Sequence, residues 1–521
     1  MERGSGGARA LLYSLFTFLL LVPLLFFYAG SLWKDGGITF RDYAASWPSA
    51  AQWRALGDSL RLGLAATVLS FAFGLPAAVA LSRLERRWRH LLTTLCLIPL
   101  MIPPYLTASA WVVAAGKGTF FDVSIFGFGG CVWVYSLSFW PVIALLGCAS
   151  LRLVDRRLVD AGRLCAGGRS VFRRVTFPLI WPSLAAAGGI VFVLVIADFG
   201  VADLLLFRVY ANEVLQSFRW GADMPAAAAV SLPLMLCVAL VVAFIGLYPA
   251  RRSRLLIGGS AQSPAETPVR REDVPWLVWT ILLLSLSVAF PVAMFATASA
   301  SWDAYREALR MSEGLLASGF LTAALGAAAT LLLCLPLAIL TSTGTRGERM
   351  YVQLVSLSTF ALPATVVGVG LISLYNRPGP PGWIYGSLAI LVVAYVARFA
   401  FIAWAGISAF LAGVDPGLLE AARLSGASPW RAYRRVFLPL AAGSLWALFL
   451  VLFILCFGEL GIGVLLTPAG RQTFPVTLFG LLHFGYERLV MAMCLIFFIS
   501  IAVPTIAAMA VWRKYGDSRL I

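Results

Sequence analysis

Long apolar runs, separated by short polar segments, dominate the chain from one end to the other. Each run is about 20 residues or longer, which is enough for an α-helix to cross a hydrocarbon core about 30 Å thick. The short alternating segments that are typical of a membrane β-barrel do not occur. The pattern therefore predicts an all-α integral membrane protein with about twelve spans, near 11–30, 57–82, 91–115, 128–150, 182–206, 228–249, 274–298, 315–341, 351–375, 384–410, 442–466 and 490–512.

The composition agrees with this pattern. Of the 521 residues, 60% are hydrophobic and only 12% are charged, and the mean hydropathy is +0.88. Water-soluble domains carry about twice that charged fraction. The eight cysteines are scattered without a C-x-x-C pair, so we interpret them as small buried hydrophobic residues.

The net charge of +16 does not indicate nucleic-acid binding, because the basic residues lie in short connections between spans. With a cytoplasmic N-terminus, most Lys and Arg residues fall on the cytoplasmic side, as the positive-inside rule requires. The sequence therefore predicts that both termini are cytoplasmic. The first apolar run exceeds a typical signal-peptide core and no clear cleavage site follows it, so we interpret it as a retained span.

The chain contains a repeat with an offset of about 260 positions. Three residues recur at that offset in the two halves: Pro76 and Pro336, Pro103 and Pro363, Asp155 and Asp415. The second half then has one extra residue, so that Pro178 matches Pro439. The prediction is two parallel six-helix repeats, 1–250 and 274–521, which are joined by a cytoplasmic linker at 251–273 and enclose a pathway at their interface. The prolines are interpreted as kinks.

A cytoplasmic loop in each repeat, 151–180 and 411–440, carries the most specific motif. The second loop has Glu-Ala-Ala, a Gly four positions later, and then Leu-Pro, namely Glu420, Ala421, Ala422, Gly426, Leu438 and Pro439. The first loop is a degenerate version of this pattern, with Asp160, Ala161, Gly162, Gly167 and Pro178 at the corresponding places. The pattern resembles the EAA loop of permeases from binding-protein-dependent ABC importers.

The resemblance implies a type I (MetI-like) importer permease fold in a bacterial inner membrane. It implies that each loop docks on an ABC ATPase, with two ATPase copies for the two loops, and that an extracytoplasmic binding protein delivers the solute. The chain has no G-x-x-x-x-G-K-[ST] motif, so ATP and magnesium are expected on the partner and no cofactor or enzyme activity on this chain. Two permease units on one chain resemble iron(III) and thiamine importers.

Local residue types predict the shape of the second loop. Glu420 is favourable near a helix N-terminus, and Gly426 can end that helix or supply a bend. Pro429 can then start a second helix, which would carry Arg431 and neighbouring arginines. The expected shape is a helix–turn–helix along the membrane surface. A lipid-binding amphipathic loop is the alternative.

Carboxylates stand at matching positions after the two loops, Asp198 and Glu459, each followed two positions later by a glycine, Gly200 and Gly461. A charged group inside a span is costly, so these carboxylates should face protein or water. They could bind a cationic solute near an outer gate or only hold the helices together, while the glycines would let helices approach closely. For Arg398, the expectation is pairing with a carboxylate or reaching the cytoplasmic surface.

The remaining polar residues suggest no resident metal site. His483 and Glu487 could share a helical face, which we interpret as a solvated surface rather than a metal contact. We interpret the chain as an importer permease. The alternative is a secondary transporter driven by an ion gradient, in which Asp198 and Glu459 would bind the coupling ion.

Overall fold

The computed structural model describes residues 3–34, 37–115, 122–219, 224–252, 273–414, 425, 431, 433–485 and 488–516. Nearly all of these residues are helical. The helices of the first half are Arg3–Leu20, Val22–Leu32, Arg41–Ala45, Ala50–Arg83, Arg86–Leu95, Ile98–Met101, Pro104–Ala114, Phe128–Leu153, Arg156–Cys165, Gly168–Val171, the π-helix Phe172–Thr176, Phe177–Ala197, Gly200–Leu204, Tyr210–Arg219 and Met224–Arg252.

The second half has a similar series of helices after the predicted linker, of which 253–272 lie outside the described residues. They are Val274–Leu284, the π-helix Ser285–Ala289, Phe290–Ala298, Trp302–Thr343, Arg346–Ala361, Ala364–Tyr375, Pro380–Tyr385, Ala389–Gly413, the π-helix Tyr433–Phe437, Leu438–Phe457, Gly463–Leu466, Phe474–Phe484 and Arg488–Gly516. The strands Trp33–Lys34 and Gly37–Ile38 pair antiparallel as one short hairpin.

The described part of the chain contains nine candidate spans that are long and apolar enough to cross a membrane, and twelve if each of three bent helix pairs is one span. These twelve candidates follow the order of the twelve predicted runs. The prediction of an all-α membrane protein is thus confirmed. Among the described residues, a large continuous core of buried side chains extends through both halves, and a smaller cluster lies around Phe27 and Ala228.

Two of the three bent pairs stand at equivalent prolines. The helices on either side of Pro103 are bent by 83°, and those on either side of Pro363 by 103°. In both cases the preceding residue has an extended backbone, which is the conformation that a following proline favours. By contrast, Pro76 and Pro336 lie inside helices that continue past them.

The first span of each half packs against the other half. Arg9 and Thr17 of the first span bond to Glu348 at 3.1 Å and Tyr351 at 2.6 Å. In return, the first span of the second half uses Ser287, which accepts a hydrogen bond from Trp140 at 3.1 Å. This reciprocal exchange joins the halves into one bundle.

A π-helical turn precedes the fifth span of each half, at Phe172–Thr176 and Tyr433–Phe437. The two turns are related by the same offset of 261 positions as Pro178 and Pro439. Each proline stands in the first turn of the following α-helix, where its missing N–H is least costly. The repeat inferred from sequence is therefore visible in local backbone geometry.

The fifth spans end earlier than the apolar runs predict. The runs at 182–206 and 442–466 suggest continuous helices, but the structure ends them at Ala197 and Phe457, and short helices follow after a break. The carboxylates of Asp198 and Glu459 therefore lie at helix breaks rather than within continuous spans. This placement leaves backbone N–H groups for the carboxylates to bind.

Candidate functional site

Each break contains a turn that its own carboxylate closes. We name Asp198–Gly200 and Glu459–Gly461 the acidic turns. Asp198 Oδ2 accepts a hydrogen bond from the backbone N–H of Val201 at 3.3 Å, and Glu459 Oε1 accepts one from Ile462 at 3.2 Å. Both carboxylates thus bind the amide three residues ahead, as a helix N-cap does. Part of their role is to build the turn.

The acidic turns face each other across the interface between the halves. A Cβ atom added to Gly200 would lie 3.3 Å from Leu460 Cδ2, which belongs to the opposite turn. In the reverse direction, a Cβ added to Gly461 would lie 3.6 Å from Phe199 Cε1. The structure therefore brings together the four residues predicted for the pathway, Asp198, Gly200, Glu459 and Gly461.

The same turns rest on the broken third spans of both halves. A Cβ on Gly461 would lie 2.5 Å from Ala364 Cβ, and one on Gly458 would lie 3.0 Å from Pro103 Cγ. A Cβ on Gly200 would lie 3.5 Å from the Cβ of Tyr105, which is two residues after Pro103. Prolines and glycines at matched positions thus place four chain breaks at one location, where unpaired backbone groups are available.

The two carboxylates have different partners. Tyr135 donates its hydroxyl to Asp198 Oδ2 at 2.7 Å. Glu459 Oε2 instead lies 3.4 Å from Arg398 Nε, and both of those side chains are nearly buried. Arg398 also donates from Nη1 to the backbone carbonyl of Leu362 at 2.7 Å, immediately before Pro363. Arg398 therefore pairs with a carboxylate, which is the first of the two expectations from sequence.

A second polar contact between the halves lies close to the first acidic turn. Asp203 Oδ2 is 2.8 Å from His483 Nε2, and Asp203 Oδ1 accepts a hydrogen bond from Asn212 at 3.1 Å. The other ring nitrogen of His483 is 2.8 Å from the carbonyl of Phe479. Both nitrogens therefore face acceptor oxygens, which the doubly protonated ring satisfies. Sequence reasoning missed this pair because its members are 280 positions apart.

Glu487, which the sequence suggested as a neighbour of His483, lies outside the described residues. Within the residues that are described, no group of three or more His, Cys, Asp and Glu side chains could hold a metal ion. The absence of a resident metal stays a prediction.

The first of the two loops, 151–180, forms a helix–turn–helix. Its first arm, Arg156–Cys165, begins after Asp155, whose side chain accepts the N–H of Arg157 at 2.9 Å. Asp160, Ala161 and Gly162 lie within this arm. Gly167 precedes the second arm without a positive φ, and an added Cβ there would meet no atom within 4 Å. A Cβ on Gly162 would instead lie 3.1 Å from Val171, where the arms pack together.

Apolar and cationic side chains are exposed on this first loop. Leu158 and Leu164 are 53% and 91% exposed. Arg173 and Arg174 on the second arm are also exposed.

Most of the second loop lies outside the described residues, including Glu420, Ala421, Ala422, Gly426 and Pro429. Leu438 and Pro439, which begin the following helix, are described. Arg431, Arg434 and Arg435 are exposed. The docking role of either loop stays a prediction.

Comparison with known proteins gives matches in both halves. A sequence model of the family "binding-protein-dependent transport system inner membrane component" matches residues 70–254. The molybdenum transport system permease protein of Mycobacterium bovis is 30% identical over 210 residues, which cover 36% of this chain and 76% of that protein. The chain belongs to this family.

Longer alignments extend beyond one half of this permease. The Fe(3+)-transport system permease protein of Haemophilus influenzae is 21% identical over 428 residues, with 81% of this chain and 82% of that protein covered. The ferric transport system permease protein of Actinobacillus pleuropneumoniae is 25% identical over 413 residues. That alignment covers 72% of this chain and 59% of the relative.

Family membership confirms two predictions from sequence. The chain is a multi-pass inner-membrane permease subunit of a binding-protein-dependent importer. Permeases of this kind are transport subunits rather than enzymes. The alternative of a secondary transporter driven by an ion gradient has no support from these relatives.

Proposed function

We propose that this permease imports iron(III), which an extracytoplasmic binding protein delivers and a separate ATPase drives. The observation that carries the choice of solute is the pair of facing acidic turns between the halves. Carboxylate oxygens favour a hard cation over an anion such as a phosphonate. The relatives named for iron align over both halves, in agreement with this choice.

The two halves act as the two walls of one pathway. Support comes from the reciprocal contacts of Gly200 with Leu460 and of Gly461 with Phe199. The molybdenum permease aligns over 76% of its own length but over only 36% of this chain, so one such permease corresponds to about half of this chain. This ratio also favours two fused permease units, at 1–250 and 274–521. Asp198, Gly200, Glu459 and Gly461 would then line the gate between them.

Each cytoplasmic loop docks on one ATPase copy in this proposal, which gives two ATPase copies for each permease. The first loop supports this role through its two-armed helical shape, which presents the exposed side chains of Leu158, Leu164 and Arg173. ATP binding would draw the loops together and open the gate towards the binding protein. Both termini lie in the cytoplasm in this arrangement.

Reconstituted transport tests the proposal. The permease is purified with its partner ATPase and binding protein and placed in liposomes containing ATP. We expect ATP-dependent accumulation of ⁵⁵Fe(III) delivered by that binding protein, without accumulation of thiamine or 2-aminoethylphosphonate. Uptake of either organic solute in place of iron would refute the choice of substrate. Uptake that needs an ion gradient but no ATPase would refute the importer mechanism.

A further inference from the structure

The two acidic turns differ in charge although their backbones match. The carboxylate of Glu459 lies beside the guanidinium of Arg398, whereas the hydrogen bonds that Asp198 accepts from the described residues come from neutral donors, the hydroxyl of Tyr135 and the amide of Val201. Tyr135 recurs as Tyr395 in the second half, but the position equivalent to Arg398 is Ser138. The fixed cation is therefore present in one half and absent from the matching place in the other.

Arg398 is held in place from two sides. Its Nη1 donates to the carbonyl of Leu362, which the break at Pro363 leaves without a helical partner. Its Nε faces Glu459 at 3.4 Å but lacks the geometry of a hydrogen bond. The guanidinium is thus positioned by the break in the span and neutralises Glu459 by charge rather than by a bidentate bond.

Asp198 keeps one carboxylate oxygen available. Its Oδ2 accepts both hydrogen bonds, and Oδ1 accepts none from the described residues. The side chain of Asp198 is only partly buried, and Oδ1 is not a fully buried atom. A carboxylate oxygen without a hydrogen bond from the described residues, at an interface between helices, is suited to meet a cation.

We propose that Asp198 is the carboxylate that contacts the transported cation, and that Arg398 is a positioning residue that cancels the charge of Glu459. The pathway then presents one net negative charge, on the first half, to the passing solute. That the solute is a cation, iron(III) in particular, rests on the proposed function, whereas the contact of Arg398 with Glu459 does not.

Charge-matched variants test the proposal in the reconstituted complex with its ATPase and binding protein. Asp198→Asn is expected to lower ⁵⁵Fe(III) uptake by about tenfold or more, because it removes the available charge. Glu459→Gln is expected to lower uptake as well, because Arg398 is then left uncancelled. The double variant Glu459→Gln with Arg398→Gln restores one net negative charge and is expected to recover most of the uptake. The exposed Glu313→Gln is the control for a simple loss of charge.

Uptake is measured together with assembly of the complex and with ATPase stimulation by the loaded binding protein. Variants that assemble and hydrolyse ATP but fail to transport separate the role in the pathway from folding. Normal uptake by Asp198→Asn would overturn the proposal, as would a Glu459→Gln defect that Arg398→Gln fails to relieve. If the wild-type complex transports another cation instead of iron, the same variants are assayed with that cation. The choice of iron then fails while the division of roles remains under test.

Discussion

At the acidic turns, Gly461 packs most closely against the third span, at Ala364. Replacing this glycine with alanine is therefore a steric test, and the matched Gly200 provides the control. In Gly461→Ala, the new Cβ would lie 2.5 Å from Ala364 Cβ, whereas carbon atoms in contact are normally about 3.5–4.0 Å apart. The turn must therefore move away from the third span by about 1 Å or more. Gly461 does not have a positive φ, so alanine is not excluded by backbone conformation.

The expected cost follows from this displacement. Overpacking of a close contact costs about 1–3 kcal/mol, and the rigid Cβ of Ala364 cannot rotate away. The matched change Gly200→Ala meets the flexible Leu460 Cδ2 at 3.3 Å and Tyr105 Cβ at 3.5 Å. A small movement of the leucine relieves that contact, so we expect a cost below about 1 kcal/mol.

Thermal unfolding of the purified complex and ATP-dependent uptake are the assays for both variants. Gly461→Ala should unfold at a lower temperature than the wild type and should transport more slowly, because the turns no longer meet. Gly200→Ala should stay close to the wild type in both assays. Equal behaviour of the two variants, or a stable and active Gly461→Ala, would refute the inference that Gly461 is needed for close packing against the third span.

Two further predictions concern other contacts. Cysteines placed at Asp203 and His483 can be joined by a bifunctional thiol reagent, and we expect this cross-link to block ATP-driven uptake while the complex stays assembled. Either single cysteine variant, treated in the same way, should still transport. Uptake that survives efficient cross-linking would show that these two residues need not separate during transport. Replacing Gly426 with Leu should uncouple ATP hydrolysis from uptake, while Gly167→Leu should have a milder effect, because an added Cβ at Gly167 meets no neighbour. The ratio of ATP hydrolysed to solute transported measures both changes, and equal defects would contradict the predicted asymmetry of the loops.

Much of the architecture could be predicted because its causes are local in sequence. Twelve apolar runs predict the twelve span candidates, since a helix that crosses a bilayer needs a minimum apolar length. The repeated Pro103 and Pro363 indicate breaks because proline disfavours a helical residue before it. The helix–turn–helix of the first loop also follows from local signals, with Asp155 as its cap.

The contacts between distant segments could not be predicted in the same way. Hydropathy continues past Asp198 and Glu459, so it does not reveal that the fifth spans end there and that the carboxylates bind amides of the next turn. The choice of Arg398 as the partner of Glu459 depends on how two helices pack, and so does the pairing of Asp203 with His483. The sequence did contain one indication of a partner for Asp198. Tyr135, which binds it, recurs at the repeat offset as Tyr395.

The duplication explains why the differences between the halves are informative. Some backbone features recur at the repeat offset and are needed to build each unit. They include the π-helical turns and the hydrogen bonds from backbone N–H groups to both carboxylates. A feature confined to one half is not required by that shared geometry. Arg398 is such a feature, because its place in the first half is taken by Ser138 and the hydrogen bonds to Asp198 in the first acidic turn come from neutral groups. Its charge therefore has to be explained by what passes between the halves or by the stability of one break, and the Glu459→Gln and Arg398→Gln double variant decides between these two causes.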